Sequence, residues 1–187
     1  MTRRFDPWTV LDSREVYSAP PFLTVHKQRL RLPDGREVAG FHRIVMPDYA
    51  LIYPETEDGR LILLRQYKHG VGEVSLTFPA GMFNPGEQPL EVAERELMEE
   101  TGYASTRWRP LGRYVASANS FGHAAHLFRA TGCRKVAEPS SRDLEEMELL
   151  LLTPAEAIDA AKRGEFKLIS QLAILALCAN PELGEPR

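Results

Sequence analysis

The amino-acid sequence predicts an α/β domain, in which strands and helices pack in layers around a sheet. Two observations support this fold class. Short β-prone apolar segments separated by turn residues run through the chain, and helical patterns interrupt them once in the middle and again near the C-terminus. The 187 residues suffice for one such domain with its own core.

Composition and charge limit the partners of the chain. It is 43% hydrophobic and 26% charged with a net charge of −3, which argues against nucleic acid or an anionic membrane surface as the main partner. The N-terminus lacks the apolar core of a signal peptide, and the most apolar run, residues 172–179, is too short to cross a bilayer. Cys133 and Cys178 fit no metal spacing and no disulfide framework, so we expect buried thiols in a reducing compartment, with a single bridge between them as the alternative. These features predict a cytoplasmic protein.

Turn residues separate an N-terminal element from the rest. Two strand-like segments within residues 22–45 flank the Pro-Asp-Gly turn at residues 33–35, which predicts a β-hairpin. We expect residues 1–45 to form N-terminal strands that serve as a dimerisation element. The main domain would then cover residues 46–187.

The main domain is predicted to contain six strands and, after the last of them, two helices. The strands are expected over residues 49–53, 61–67, 74–78, 108–117, 124–130 and 147–152. Pro79 ends the third strand because proline cannot donate to a sheet ladder. A helix capped by Thr153 follows the sixth strand, and a last apolar helix covers residues 170–179.

A further helix is predicted over residues 89–100, with a proline at its first position, where the missing N–H is tolerated. Gly102 supplies the left-handed residue that commonly closes a helix. Leu90, Ala93 and Leu97 recur at spacings of three and four, so we expect them to form the buried stripe.

Three carboxylates share another face of this helix. Glu96, Glu99 and Glu100 lie at i, i+3 and i+4, where like charges repel by about 0.2–0.5 kcal/mol per pair. The helix dipole near the C-terminus also disfavours anions. A hard divalent cation would offset both penalties, because it takes oxygen ligands and bridges to phosphate oxygens. The alternative for these three glutamates alone is a solvated acidic face.

The carboxylates belong to a longer pattern. Seven residues follow one fixed spacing: Gly81, Glu87, Arg95, Glu96, Glu99, Glu100 and Gly102. At residue frequencies of about 7%, seven fixed positions match by chance in such a chain on the order of once in a million. The pattern resembles the box of the Nudix hydrolases, with Leu97 and Tyr103 at its two bulky apolar positions.

The resemblance implies a Nudix α/β/α sandwich with a mixed β-sheet and an N-terminal β-hairpin. Within that family the chain looks like the ADP-ribose pyrophosphatase group. This narrower resemblance rests on the N-terminal hairpin and on residues 66–68, 126–128 and 145–149. Three positions depart from that group: Lys68 where arginine is common, Thr77 where glutamate is common, and Ala118–Asn119 where proline is common.

Carried over by position, the resemblance implies a divalent-metal site. Mg²⁺ is the expected ion, with Mn²⁺ as a substitute, and the implied ligands are Glu96, Glu99, Glu100 and the backbone carbonyl of Ala80. Arg95 and Glu87 would pin the loop to the helix. Gly81 and Gly102 complete the structural positions of the motif.

The resemblance also implies a catalytic base on the loop before the last strand. Glu145 is the best match and Glu146 the next, while Glu100 joins the catalytic set through the metal. A base must reach the attacking water directly or through one further water. The alternative for Glu145 and Glu146 is a solvated acidic loop.

Four residues are candidates for substrate binding. Lys68 would meet the phosphates as a point charge, without the bidentate geometry of arginine. His123 would touch the substrate from its loop, whereas His126 alternates like a strand residue and is expected in the core. Phe22 and Phe41 fall near positions at which the group stacks a nucleobase, partly from the partner subunit. Hairpin core is the alternative for both.

The resemblance therefore predicts Mg²⁺-dependent hydrolysis of a nucleoside diphosphate linked to another moiety, with ADP-ribose giving AMP and ribose 5-phosphate. The enzyme is expected to be a homodimer. One alternative keeps the chemistry and changes the substrate to FAD, a GDP-sugar, a dinucleoside polyphosphate or a coenzyme A derivative. The other is a non-catalytic Nudix module that binds a nucleotide.

Overall fold

The computed structural model describes residues 5–115, 118, 123–141, 144 and 146–184. Its strands are β1 (Thr9–Ala19), β2 (Leu23–Arg31), β3 (Glu37–Val45), β4 (Tyr49–Thr56), β5 (Leu61–Lys68), β6 (Glu73–Thr77), β7 (Ala80–Met82), β8 (Tyr103–Ala104), β9 (Arg107–Val115), β10 (Ala124–Lys135) and β11 (Met147–Leu152). Its helices are α1 (Pro89–Thr101), α2 (Pro154–Lys162), α3 (Ile169–Ala179) and α4 (Pro181–Gly184). The chain divides into two compact units, Met1–Pro47 with Val115–Ala124 and Asp48–Tyr114 with Ala125–Arg187.

The first unit contains a three-stranded antiparallel sheet in the order β1–β2–β3. The predicted hairpin is present as β2 and β3. Leu32 N–H donates to the Arg36 carbonyl at 2.8 Å across the turn. Gly35 in that turn has a φ of 87°, which glycine adopts at low cost. The sequence does not predict β1 as a paired strand, because its polar and apolar residues do not alternate clearly.

This sheet buries little of its own surface. In β1–β3, Gln28 and Leu30 are the only buried residues. Val10, Val16 and Tyr17 of β1 are exposed. A sheet is normally stabilised when another layer covers one of its apolar faces. The three strands β1–β3 alone leave these apolar side chains of β1 exposed.

The second unit is built on an eight-stranded mixed sheet. Its strands follow the order β11–β5–β4–β10–β8, with β6 beside β5, β7 beside β4 and β9 beside β10. Strands β4 and β10 are parallel, with Tyr49 opposite Ala125. Strand β5 pairs antiparallel with both β6 and β11, and β4 pairs antiparallel with β7.

Helices cover both faces of this sheet. Leu63 of β5 packs in one apolar cluster with Ala157 of α2 and Ile174 of α3. Its neighbour Ile62 packs in a second cluster with Leu97 of α1. Successive strand residues point to opposite faces, so α1 lies on one side and α2 and α3 on the other. The predicted α/β/α sandwich is therefore confirmed.

The helix predicted over residues 89–100 is present as α1, but one of its buried positions is wrong. Leu90 is exposed, because it lies in the first turn at the edge of the apolar stripe. Val92 packs in the core in its place, together with Ala93 and Leu97.

The remaining elements follow the predictions with small shifts. The Thr153 hydroxyl accepts a hydrogen bond from Glu156 N–H, which completes the predicted capping box of α2. Three short elements were not predicted: β7, directly after Pro79, β8 and α4. In the part of the chain that the structure describes, no helix is long and apolar enough to cross a membrane.

Candidate active site

Helix α1 carries the sequence pattern, and both of its ends are fixed locally. At its start Gln88 and Glu91 form a capping box, with Gln88 N–H donating to Glu91 at 2.9 Å. At its end Gly102 has a φ of 73°, and its N–H donates to the Met98 carbonyl at 2.8 Å. A Cβ on Gly102 would overlap the carbonyl of Ala137. Conformation and space both require glycine there.

Arg95 and Glu87 tie the loop before α1 to the helix. Arg95 Nε donates to Glu87 Oε1 at 2.8 Å and Nη2 donates to Glu87 Oε2 at 3.0 Å, which is a bidentate pair. Arg95 Nη2 also donates to the Met82 carbonyl, and Asn84 N–H donates to Glu87 at 2.7 Å. The hydrogen bonds from Arg95 are the main reason that the pKa of Glu87 is lowered to about 2.

Gly81 makes room for a carboxylate of the motif. A Cβ at this position would overlap the carboxylate of Glu96. Glu96 is only 8% exposed, so its charge lies against the backbone of β7 rather than in solvent. Any side chain at position 81 would displace that charge.

Glu100 is held by the backbone next to Gly81. Its Oε2 accepts a 3.0 Å hydrogen bond from Ala80 N–H, and the residue is 5% exposed. The preceding carbonyl, of Pro79, accepts a 3.0 Å hydrogen bond from Ile52 N–H. The segment that carries the predicted carbonyl ligand is therefore fixed against α1 and against β4.

Arg95 also lies between two of the predicted metal ligands. Its Nη1 donates to Glu96 Oε1 at 2.6 Å and to Glu99 Oε2 at 3.2 Å. Hydrogen bonds to Glu87, and then to these two glutamates, raise the pKa of Arg95 further above its usual value. Among the described residues, no three His, Cys, Asp or Glu side chains converge closely enough to hold a metal ion.

The donor set nevertheless fits a hard divalent cation. Glu96, Glu99, Glu100 and the Ala80 carbonyl all offer oxygen, which is the ligand that Mg²⁺ prefers. Two of these carboxylates are buried one helical turn apart. A cation that replaced the hydrogen bonds of Arg95 Nη1 would meet ligands of the right chemical type.

The predicted bases lie on the segment before β11. Glu145 falls outside the described residues, as does Asn119 of the earlier loop. Glu146 is exposed and lines a cavity of about 780 Å³ together with Tyr67 and Val74. None of the described residues around this cavity comes from α1. This cavity therefore does not connect Glu146 with the α1 carboxylates.

The predicted substrate contacts are divided between the two units. Lys68 ends β5 in the second unit and is half-buried. Phe22, Phe41 and His123 belong to the first unit. Phe22 is 61% exposed, so the alternative of hairpin core is wrong for this ring. Phe41 is half-buried and packs edge-on against Trp8, with ring centroids 6.3 Å apart.

Two polar groups of the second unit were not predicted as site residues. His126 Nε2 lies 2.9 Å from Asp48 Oδ2, and its ring packs against Phe83 with centroids 5.1 Å apart. Gln171 of α3 is 4% exposed and binds the backbone of Phe78. The sequence feature that could have indicated a role for Gln171 is its position as a single amide in an otherwise apolar helix pattern.

The α/β/α sandwich and the glutamate pattern on α1 define the class of protein. A family model described as the NUDIX domain matches residues 46–172, and one described as the nucleoside diphosphate sugar hydrolase N-terminal domain matches residues 8–48. The chain belongs to the Nudix family of hydrolases.

Known proteins resemble the chain over most of its length. An ADP-ribose pyrophosphatase from Bacillus subtilis is 27% identical over 144 residues, which cover 76% of both chains. An ADP-ribose pyrophosphatase from Mycobacterium tuberculosis is 27% identical over 173 residues, which cover 89% of this chain and 80% of the relative. A crystal structure of an ADP compounds hydrolase has the same fold, with a TM-score of 0.82 and 23% identity over 95% of both chains.

Proposed function

We propose that this enzyme hydrolyses a nucleoside diphosphate linked to a second moiety, with ADP-ribose as substrate and AMP and ribose 5-phosphate as products. The observation that carries the proposal is the burial of Glu96 and Glu100 where α1 meets Gly81 and Ala80. Buried carboxylates need compensating positive charge, which Arg95 supplies to Glu96 and which a divalent cation would supply to both residues. Such a pair suits metal-assisted hydrolysis at phosphorus.

The proposed metal is Mg²⁺, or Mn²⁺ in its place, and its ligands are the Ala80 carbonyl, Glu96, Glu99 and Glu100. When bound, the ion would neutralise phosphate oxygens and lower the pKa of a coordinated water. To hold the ion, Glu96 and Glu99 would give up their hydrogen bonds to Arg95 Nη1. Arg95 stays in place through its bidentate pair with Glu87.

The reaction is attack of water on one phosphorus of the diphosphate. The bond from that phosphorus to the bridging oxygen breaks, and the bridging oxygen leaves with the other phosphate. Glu145, or Glu146 beside it, accepts the proton of the attacking water. Lys68 places its positive charge against the phosphates, where negative charge develops.

The relatives support ADP-ribose as the substrate. Two proteins named ADP-ribose pyrophosphatase match this chain over three-quarters of its length or more. In the proposal Phe22 and Phe41 stack the nucleobase and His123 contacts the substrate. The exposure of the Phe22 ring supports a binding role. Another nucleoside diphosphate sugar is the second candidate, favoured by the match of residues 8–48 to the nucleoside diphosphate sugar hydrolase N-terminal domain.

We also propose that residues 1–45 form a dimerisation element and residues 46–187 the catalytic domain. The support is the sheet of β1–β3, which buries little surface and exposes Val10, Val16 and Tyr17. A second copy of the chain would cover these apolar side chains. Both cysteines are free, which agrees with a cytoplasmic location.

Turnover of a substrate panel tests the proposed activity. Purified protein with Mg²⁺ should release AMP from ADP-ribose faster than it cleaves FAD, a GDP-sugar, a dinucleoside polyphosphate or coenzyme A. Glu100→Gln should lower kcat by about 100-fold or more. Glu94→Gln makes the same change on the exposed side of α1 and should leave kcat unaltered. Binding of one diphosphate without hydrolysis of any would favour the non-catalytic module instead.

A further inference from the structure

A single amide of α3 holds the backbone that leads into the carboxylate site. Gln171 Oε1 accepts a 2.7 Å hydrogen bond from Phe78 N–H, and Gln171 Nε2 donates to the Phe78 carbonyl at 3.5 Å. The two partners fix the orientation of the amide, because an N–H needs an acceptor and a carbonyl needs a donor. Gln171 is 4% exposed and Phe78 is 1% exposed, so bulk water does not compete for these groups.

Phe78 depends on this side chain because the sheet ladder stops beside it. Strand β6 ends at Thr77, and Pro79 on the other side has no N–H to donate. A buried backbone N–H or carbonyl without a partner loses its hydration without compensation. Gln171 therefore takes the place of a neighbouring strand at the step from β6 to β7.

The held segment leads directly to Ala80. The Pro79 carbonyl accepts from Ile52 N–H at 3.0 Å, and Ala80 N–H donates to Glu100 Oε2 at 3.0 Å. Three consecutive residues are thus each fixed by a different element, first α3, then β4, then α1. The position of the Ala80 backbone, and with it the Glu100 carboxylate, depends on all three attachments.

We propose that Gln171 is a positioning residue for the divalent-metal site. Its two hydrogen bonds fix Phe78, and the path through Pro79 then sets the position of Ala80 and the orientation of Glu100. This inference rests on the proposed function, in which Ala80 and Glu100 are ligands. Groups that orient metal ligands from outside the coordination sphere typically change metal affinity by about 10–100-fold when they are replaced.

The test is Mn²⁺ binding to the full chain without substrate, measured by electron paramagnetic resonance of the free ion. Gln171→Met keeps the length of the side chain and removes both hydrogen bonds. Leu175→Ala is the matched control, because it removes buried apolar volume from the same helix and leaves the amide in place. We expect Gln171→Met to bind Mn²⁺ about tenfold more weakly than wild type. Leu175→Ala should keep the wild-type affinity, and urea unfolding should show both variants to be destabilised.

Two further variants separate positioning from folding. Gln171→Glu keeps an acceptor for Phe78 N–H and should bind Mn²⁺ more tightly than Gln171→Met. If Gln171→Met does not fold, Gln171→Asn, whose amide is one methylene shorter, replaces it with the same expected loss. Wild-type affinity in the folded Met or Asn variant would overturn the inference, as would an equal loss in Leu175→Ala. Failure of the wild-type chain to bind Mn²⁺ and to hydrolyse any diphosphate would instead contradict the proposed function.

Discussion

Arg95 and Glu87 are joined by two parallel hydrogen bonds, Nε to Oε1 at 2.8 Å and Nη2 to Oε2 at 3.0 Å. The remaining nitrogen, Nη1, reaches Glu96 and Glu99 on the same helix. The two edges of the Arg95 guanidinium therefore have different roles. One edge fixes the loop to α1, and the other places positive charge between two carboxylates that would otherwise repel each other.

Replacing Glu87 by glutamine should lower stability and flatten its dependence on acid pH. The hydrogen bonds from Arg95 lower the pKa of Glu87 from 4.5 to about 2 in the folded protein. Because the pKa of Glu87 is lower in the folded protein than in the unfolded chain, the ionised carboxylate stabilises the fold at pH values above the unfolded-state pKa. This stabilisation is lost as the pH falls from about 4.5 to about 2. Urea unfolding of the metal-free proteins should show a difference of about 1–2 kcal/mol at neutral pH that shrinks across this window.

The control for that experiment is Glu94→Gln, which removes an exposed charge from the same helix. It should change the unfolding free energy by less than about 0.5 kcal/mol at every pH. The contrary result is that the unfolding free energies of wild type and Glu87→Gln differ by the same amount from neutral pH down to about pH 2. That result would show that the stabilisation by the Arg95–Glu87 pair does not depend on the charge of Glu87.

Gly81→Ala should disable the enzyme with little loss of stability. A methyl group at this position overlaps the Glu96 carboxylate, which must then leave its buried position. We expect kcat to fall by about 100-fold, comparable to the loss of a group that stabilises transition-state charge. Gly70→Ala is the matched control, because a Cβ at Gly70 meets nothing within 4 Å. Equal activity in the two variants would mean that the position of Glu96 is unimportant for turnover.

The sequence was sufficient for α1 and its ends because the signals there are local. Pro89 and Gly102 act within their own turns, and the spacing from Gly81 to Gly102 identified the motif without any tertiary information. The burial of Glu96 and Glu100 was not predictable in this way. On a helical pattern the three glutamates form one polar face, and only the β7 backbone decides which of them are buried.

Contacts between distant residues account for the other misses. Gln171 and Phe78 are 93 residues apart, so no local spacing relates them. Strand β1 forms because β2 offers a free edge, although its own residues lack the alternation typical of a half-buried strand. Leu90 fits the helical stripe by spacing alone, yet it lies in a turn that the core does not cover.

Glu99→Gln should separate metal binding from stability. Glu99 is the most exposed of the three proposed carboxylate ligands, and its side chain accepts a 3.2 Å hydrogen bond from Arg95 Nη1. The amide can still accept that bond, so the free energy of unfolding without metal should change by less than about 0.5 kcal/mol. Mg²⁺ activation should shift to about tenfold higher concentration, because a charged ligand is lost. An unchanged Mg²⁺ requirement would remove Glu99 from the ligand set.

Tyr17→Glu should weaken self-association of the chain. Tyr17 is 57% exposed on β1, a strand with no buried residue, and a dimer interface over this sheet would have to desolvate the new charge. Ser18→Glu is the matched control, since the neighbouring residue points to the opposite face of the sheet. In sedimentation velocity at micromolar concentration, wild type and Ser18→Glu should run as dimers and Tyr17→Glu as a monomer with an unchanged circular dichroism spectrum. A monomeric wild type would rule out the proposed dimer at this concentration, and the exposed apolar residues of β1 would then need a different partner.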